Sequence, residues 1–197
     1  VDMCGEELSL AKARMSDGVV DLFQLEAQNL TAIKNASIDI VLCHWALTLM
    51  DPITPVLKEV NRILSSGGKF AALVNGPMNA APGYLDVYNL IYKYVQTKLP
   101  NYGKIDLGDP RIRSTKSLER LVGEAFPSAE VSIENNVVSL LGPVTEVSET
   151  AAGFFYASFI LPTELRMIML SDLSKLLSVS KQEGRFIMPI SRLIVKK

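Results

Sequence analysis

Apolar positions along the chain alternate between strand-length runs and helical spacing. Leu8, Ala11 and Met15 sit at helical spacing within Glu6 to Met15, and Asp17-Gly18 marks the end of that helix. Val19 to Leu25 (VVDLFQL) is rich in β-branched and aromatic residues and predicts a strand. A polar loop, Gln28 to Ser37, leads to Ile38–His44 (IDIVLCH), a near-continuous apolar run that predicts a strand covered on both faces. Asp51-Pro52 then predicts a helix start, with Asp51 as cap and Pro52 at the first helical position. Ile53, Leu57, Val60 and Leu64 form its apolar stripe, and Lys58, Glu59 and Arg62 are expected to face water. Ser65-Ser66-Gly67-Gly68 stops this helix, and Lys69 to Asn75 predicts the next strand.

Strands alternating with helices imply βαβ units and a parallel sheet with helices on both faces. Beyond Asn75 the rhythm changes. Tyr84 to Leu99 predicts a helix carrying several tyrosines, and Thr115 to Ala125 a second helix. Ala129 to Leu141 predicts an extended strand, Glu146 to Leu161 and Pro162 to Leu177 two more helices, and Gly184 to Lys197 a closing strand.

Composition narrows the function classes. Of the 197 residues 48% are hydrophobic and 21% charged, a globular balance compatible with one domain spanning 1–197. The net charge of -1 supplies no field for phosphates, so a nucleic-acid partner is not expected. The longest apolar run, Gly153 to Leu161, is far short of the about 20 residues of a membrane span. Cys4 and Cys43 form no CxxC pair, which excludes a zinc motif and fits a reducing cytoplasm. His44, the only histidine, leaves no site that needs two imidazoles, and no metal site is expected.

The stretches VDMCGEELSLAKAR, VDLFQLEAQNL and SIDIVLCHWALTLMDPITPVLKEVNRILSSGGKF, in that order, resemble class I S-adenosylmethionine-dependent methyltransferases of the ubiquinone and menaquinone biosynthesis type. The resemblance covers residues 1–75, and LKEVNRILSSGGKF is its most specific piece, with Ser66 where the family usually has Pro. It implies an α/β, Rossmann-like, mostly parallel sheet with a C-terminal antiparallel strand and an inserted helical cap at about 84–99 and 146–177. It also implies S-adenosyl-L-methionine as cofactor. The family's first strand and glycine-rich turn have no counterpart in the chain, so that strand is expected to be missing from the sheet.

In an open parallel sheet, ligands bind at the carboxyl ends of the strands. The resemblance accordingly places Asp2 at the cofactor's ribose, Met3 against its adenine, and Glu26 and Ala27 at the adenine edge. His44 lies where methyl donor and acceptor meet, as a cofactor contact and as a base toward a hydroxyl acceptor. Trp45, Tyr84 and Tyr88, with Tyr92, are expected to contact substrate, the tyrosines as a lid. Plainer readings stand beside these: a frayed terminus for Asp2, a solvated carboxylate for Glu26, a satisfied strand-end histidine for His44, and packing for Met3, Cys43, Trp45 and the tyrosines. Asp39 is expected only to orient nearby backbone.

The expected activity is methyl transfer to a small apolar or aromatic acceptor such as a quinone, a polyketide or a lipid-like metabolite. The alternative is a catalytically inactive, methyltransferase-like binding or scaffolding subunit. A nicotinamide-dependent reductase would also use an acid at that strand end, but the LKEVNRILSSGG element argues against it. The acceptor, the atom methylated and the oligomeric state, including a homodimer, stay open.

Overall fold

The structure is a computed structural model that describes residues 1–15, 20–103 and 108–197. The elements run α1 (Gly5–Arg14), β1 (Ile38–His44), α2 (Ile53–Ile63), β2 (Leu64–Asn75), α3 (Tyr84–Gln96), α4 (Thr115–Ala125), β3 (Glu130–Pro143), α5 (Val144–Gly153), α6 (Thr163–Leu177) and β4 (Glu183–Lys196). The four strands form one sheet in the order β1-β2-β4-β3. β1 and β2 are parallel, joined through α2, and β4 runs antiparallel to both β2 and β3. Residues 2 and 24 add an isolated parallel bridge. The chain is thus α/β, with a mixed open sheet and the expected antiparallel closing strand.

Two apolar clusters hold it together. The first joins Ile53, Val56, Leu57 and Val60 of α2 and Leu118, Leu121 and Val122 of α4 to Phe70, Ala72 and Val74 of β2 and Leu193 and Val195 of β4. The second gathers Val87, Ile91 and Val95 of α3, Val147 and Ala151 of α5, Met169 and Leu173 of α6, and Phe186 and Met188 of β4. β4 is therefore shared: its first half packs with the helices and its second half with the sheet core.

Several expectations are corrected by long-range contacts. The strand over Val19 to Leu25 is reduced to the bridge at Gln24, with Val19 and the Asp17-Gly18 stop outside the described residues. Among the described residues no strand pairs with the outer edge of β1, and β1 is covered on one face only. Val41 and Cys43 pack on the first cluster, whereas Ile40 and Leu42 are 61% and 76% exposed. The helix expected over Glu146 to Leu161 ends at Gly153, and a short 3-10 turn, Tyr156–Ile160, follows. Burial across several helices produces apolar runs that outlast any one helix.

The correction with most consequence concerns α2. Glu59 and Arg62 do not face open water. Arg62 donates to the carbonyls of Leu30 (2.9 Å) and Ile33 (3.0 Å) and to Asn35 Oδ1 (2.6 Å), and pairs with Glu59 at 2.7 Å. Glu59 accepts from the Leu30 N–H at 2.8 Å. The Ala36 and Ser37 N–H groups then donate to the carbonyls of Arg62 and Ile63, which delivers the chain into β1. Arg62 lowers the Glu59 carboxyl below its ordinary value, mainly through their hydrogen bond.

Nor does Asp51 cap α2, whose N-cap position is Pro52 with no side-chain cap bond. Asp109, 3% exposed, serves that end instead. Its carboxylate is held down to about 2 by Arg111, with further contributions from the Arg111 and Ile53 backbone N–H groups. At the other end Lys197 Nζ donates to the carbonyls of Asn61 (2.6 Å) and Leu64 (2.8 Å). Gly67, at φ 78°, lies within β2 where its register with β1 shifts between Leu64 and Lys69, a conformation a side chain would strain.

Arg62→Met should leave two carbonyls without their donor and destabilise the chain by about 2–3 kcal/mol, read as a lower denaturant midpoint. Asp109, depressed from 3.8 to about 2 in the folded chain, contributes stability that is whole above the ordinary value. That stability is lost as pH falls through the folded value. Thermal melts between these limits should show the loss, and Asp109→Asn should flatten it.

Candidate active site

Two groups of residues stand at the carboxyl ends of extended segments. The first forms around the parallel bridge. The Asp2 N–H donates to Phe23 O (3.2 Å) and the Leu25 N–H to Asp2 O (3.1 Å), so Asp2 lies beside the segment that ends in Glu26 and Ala27. Gln24 Nε2 donates to Met3 O at 3.2 Å and fixes the turn. Asp2 Oδ1 accepts the Cys4 N–H at 2.8 Å where α1 begins, while Oδ2 has no protein partner among the described residues. Glu26 receives Gln28 Nε2 on Oε2 (2.8 Å), leaving Oε1 without one. The Ala27 N–H is likewise unpaired among the described residues, and Met3 is 70% exposed.

The second group begins at the end of β1. His44 is exposed, and neither ring nitrogen has a protein partner among the described residues. Trp45 follows with a left-handed backbone, φ 61°. That conformation costs energy for a bulky residue and persists only where neighbours enforce it. Here the Trp45 N–H donates to Leu73 O at 3.0 Å, and its carbonyl accepts Thr48 Oγ1 at 2.5 Å. The indole meets the His44 ring edge-on at 5.9 Å and that of Phe154 at 6.4 Å. Beneath it the Cys43 thiol is pushed up by burial, as befits a packing residue.

The tyrosines fall on the interior side of this group. Tyr84 is 8% exposed, packed against Phe155 and Phe186, and its hydroxyl is pushed up to about 12 by desolvation. The lid expected of it is corrected to a core position. Tyr88 stacks on Tyr92 at 4.0 Å and meets Phe155 edge-on, half-buried on the second apolar cluster. Asp39 accepts Ser65 Oγ at 2.8 Å, tying β1 to the start of β2.

The structure thus brings Asp2 together with Glu26, and His44 with Trp45. No hydrogen bond or ion pair joins the two groups among the described residues. Ala27 and Cys43 pack on the same apolar cluster, which fixes both groups to one body. Sequence reasoning missed Thr48, which holds Trp45, and Phe154, which reads as the interior of a longer helix but sits at the C-terminal end of α5. Gly76, just past β2, also escaped notice: a Cβ there would lie 2.7 Å from the Ile190 nitrogen.

The unpaired groups at Asp2, Glu26 and Ala27 fit the ribose and adenine of an adenosyl cofactor, since they offer carboxylate oxygens and one N–H. Among the described residues no glycine-rich turn follows a strand to take an amino-acid end. Nor do three His, Cys, Asp or Glu side chains converge there as a metal site.

Comparison with known proteins bears on the domain and the fold. Residues 1–72 match the family model described as a methyltransferase domain. No curated protein matches the sequence. The fold is similar to that of an S-adenosylmethionine-dependent methyltransferase from Mesorhizobium loti (15% identity, TM-score 0.51, covering 100% of this chain and 78% of that one). It is also similar to a Bacillus halodurans protein assigned as a methyltransferase (16%, TM-score 0.56, 100% and 80%). A third likeness is to an Anabaena variabilis protein assigned as a methyltransferase of an antibiotic biosynthesis pathway (14%, TM-score 0.57, 96% and 78%). Residues 1–72 thus match a methyltransferase domain, and the fold over the length of the chain is similar to those of methyltransferases of known structure.

Proposed function

We propose that the chain moves the methyl group of S-adenosylmethionine to a small apolar or aromatic acceptor. The observation that carries this is the open set of polar groups at Asp2, Glu26 and Ala27, held together by the parallel bridge at Asp2. The cofactor supplies a methyl already activated by its sulfonium, so the protein's share is alignment and exclusion of water. Asp2 offers an oxygen to the ribose hydroxyls, Met3 an apolar surface to the adenine, and Glu26 and the Ala27 N–H a matched acceptor and donor to its edge.

On the acceptor side, His44 stands with both ring nitrogens open at the end of β1. An imidazole so placed takes the proton of a hydroxyl acceptor as the methyl arrives. Trp45 and the half-buried Tyr88 wall the approach with aromatic surface. A quinone, a polyketide or another apolar metabolite fits that chemistry, in keeping with the resemblance of residues 1–75.

Asp2→Ala should weaken S-adenosylhomocysteine binding by about 1.5–3 kcal/mol, as loss of charge-assisted hydrogen bonds does. Titration calorimetry on both proteins measures it, and an unchanged dissociation constant removes Asp2 from the site. His44→Gln should lower turnover of a hydroxyl acceptor by about 10²–10⁴-fold with cofactor affinity unchanged. Turnover that survives the substitution within a few-fold makes His44 a wall residue.

A further inference from the structure

Aromatic rings run in an unbroken row from the end of β1 into the helices. His44 meets Trp45 at 79° between ring planes, Trp45 meets Phe154 at 61°, and Phe154 lies at 6.2 Å and 33° from the buried Phe186. Two features set the outer part of this row apart from ordinary core. Phe154 leaves 47% of its surface exposed although it follows α5 in a segment otherwise turned inward at Phe155. Trp45 is half-exposed beside it, in a left-handed backbone conformation flanked by the Leu73 and Thr48 hydrogen bonds. The indole N–H has no protein partner among the described residues.

We infer that His44, Trp45 and Phe154 form a corner that selects a planar aromatic acceptor bearing a ring hydroxyl, with Phe154 as the specificity-determining residue. The inference rests on the methyl-transfer reading and names its substrate class. Aromatic rings carry a negative face and a positive edge, so two rings at a steep angle hold a third flat ring by face and edge at once. An aliphatic chain gains only contact area there. The unpaired indole N–H and the imidazole nitrogens supply the polar contacts that a ring hydroxyl requires. Phe186, 2% exposed behind Phe154, fixes the orientation of its ring.

Trp45 is the only tryptophan in the chain, so its fluorescence reports on this corner alone. The whole chain is titrated with 4-nitrocatechol, whose absorption overlaps indole emission, and 1-octanol is used as competitor. Saturable quenching is expected, with little displacement by octanol. Phe154→Ala and Phe154→Leu should each weaken the nitrocatechol affinity by about three- to ten-fold, as loss of one ring contact does. Phe154→Leu keeps the apolar bulk and answers for any loss of folding in the alanine variant.

An unchanged affinity in both variants, or octanol displacing the probe as effectively as an aromatic competitor, overturns the inference. Calorimetry with S-adenosylhomocysteine separates it from the reading it rests on. Cofactor binding without saturable quenching defeats the corner alone. Quenching without cofactor binding defeats methyl transfer and leaves the aromatic site standing.

Discussion

The guanidinium of Arg62 is the point on which the first half of the molecule depends. Its planar fork reaches two loop carbonyls, one loop amide and the Glu59 carboxylate, and no lysine could meet that geometry. The loop from Leu30 to Ser37 has few apolar anchors of its own, with only Leu30 fully buried. Without the clasp its backbone groups would need water or other partners, and the entry angle of β1 would be free. The position of His44, seven residues along that strand, is therefore set by a side chain on the following helix.

α2 in turn is fixed from far along the chain. Asp109 serves its first turn, Lys197 its last carbonyls, and Asn61 donates to Ala125 O at 2.8 Å, tying it to α4. Each contact joins residues distant in sequence, so the helix that carries the resemblance motif is finished only when the C-terminal strand is in place. β4 extends the same dependence to the helices, because Phe186 and Met188 belong to their cluster while Leu193 and Val195 belong to that of the sheet. The residues proposed for the acceptor side, on β1 and at the C-terminal end of α5, thus sit on clusters bridged by one strand.

This arrangement gives the two halves of the proposed site different characters. The Asp2 group is held mainly by backbone hydrogen bonds around one bridge, and its unpaired groups are polar. The Trp45 group is held by ring contacts and one left-handed residue, and its open surface is aromatic. The polar character of the one end and the aromatic character of the other follow from those two kinds of support.

Local pattern was enough for β1, α2 and α4, whose apolar spacing is stronger than any competing signal. The resemblance of residues 1–75 marked Asp2, Glu26, His44 and Trp45 as candidates, in keeping with the gathering of ligands at strand ends of an alternating α/β chain. Local pattern failed wherever a partner was needed. A strand at Val19 to Leu25 requires a neighbour along its length, and here the pairing reduces to the bridge at Gln24. Charged residues at helical spacing look solvent-facing until a loop is laid across them, as at Glu59 and Arg62. An Asp-Pro step looks like a cap until Asp109, 58 positions after Asp51, takes that place. By itself the sequence determined the class of fold and marked the strand ends as candidates for chemistry, because periodicity and chain order are local properties. Tertiary structure alone decided that Phe154 stands against Trp45 and that Tyr84 lies in the core, because a ring's neighbours depend on how separate helices meet.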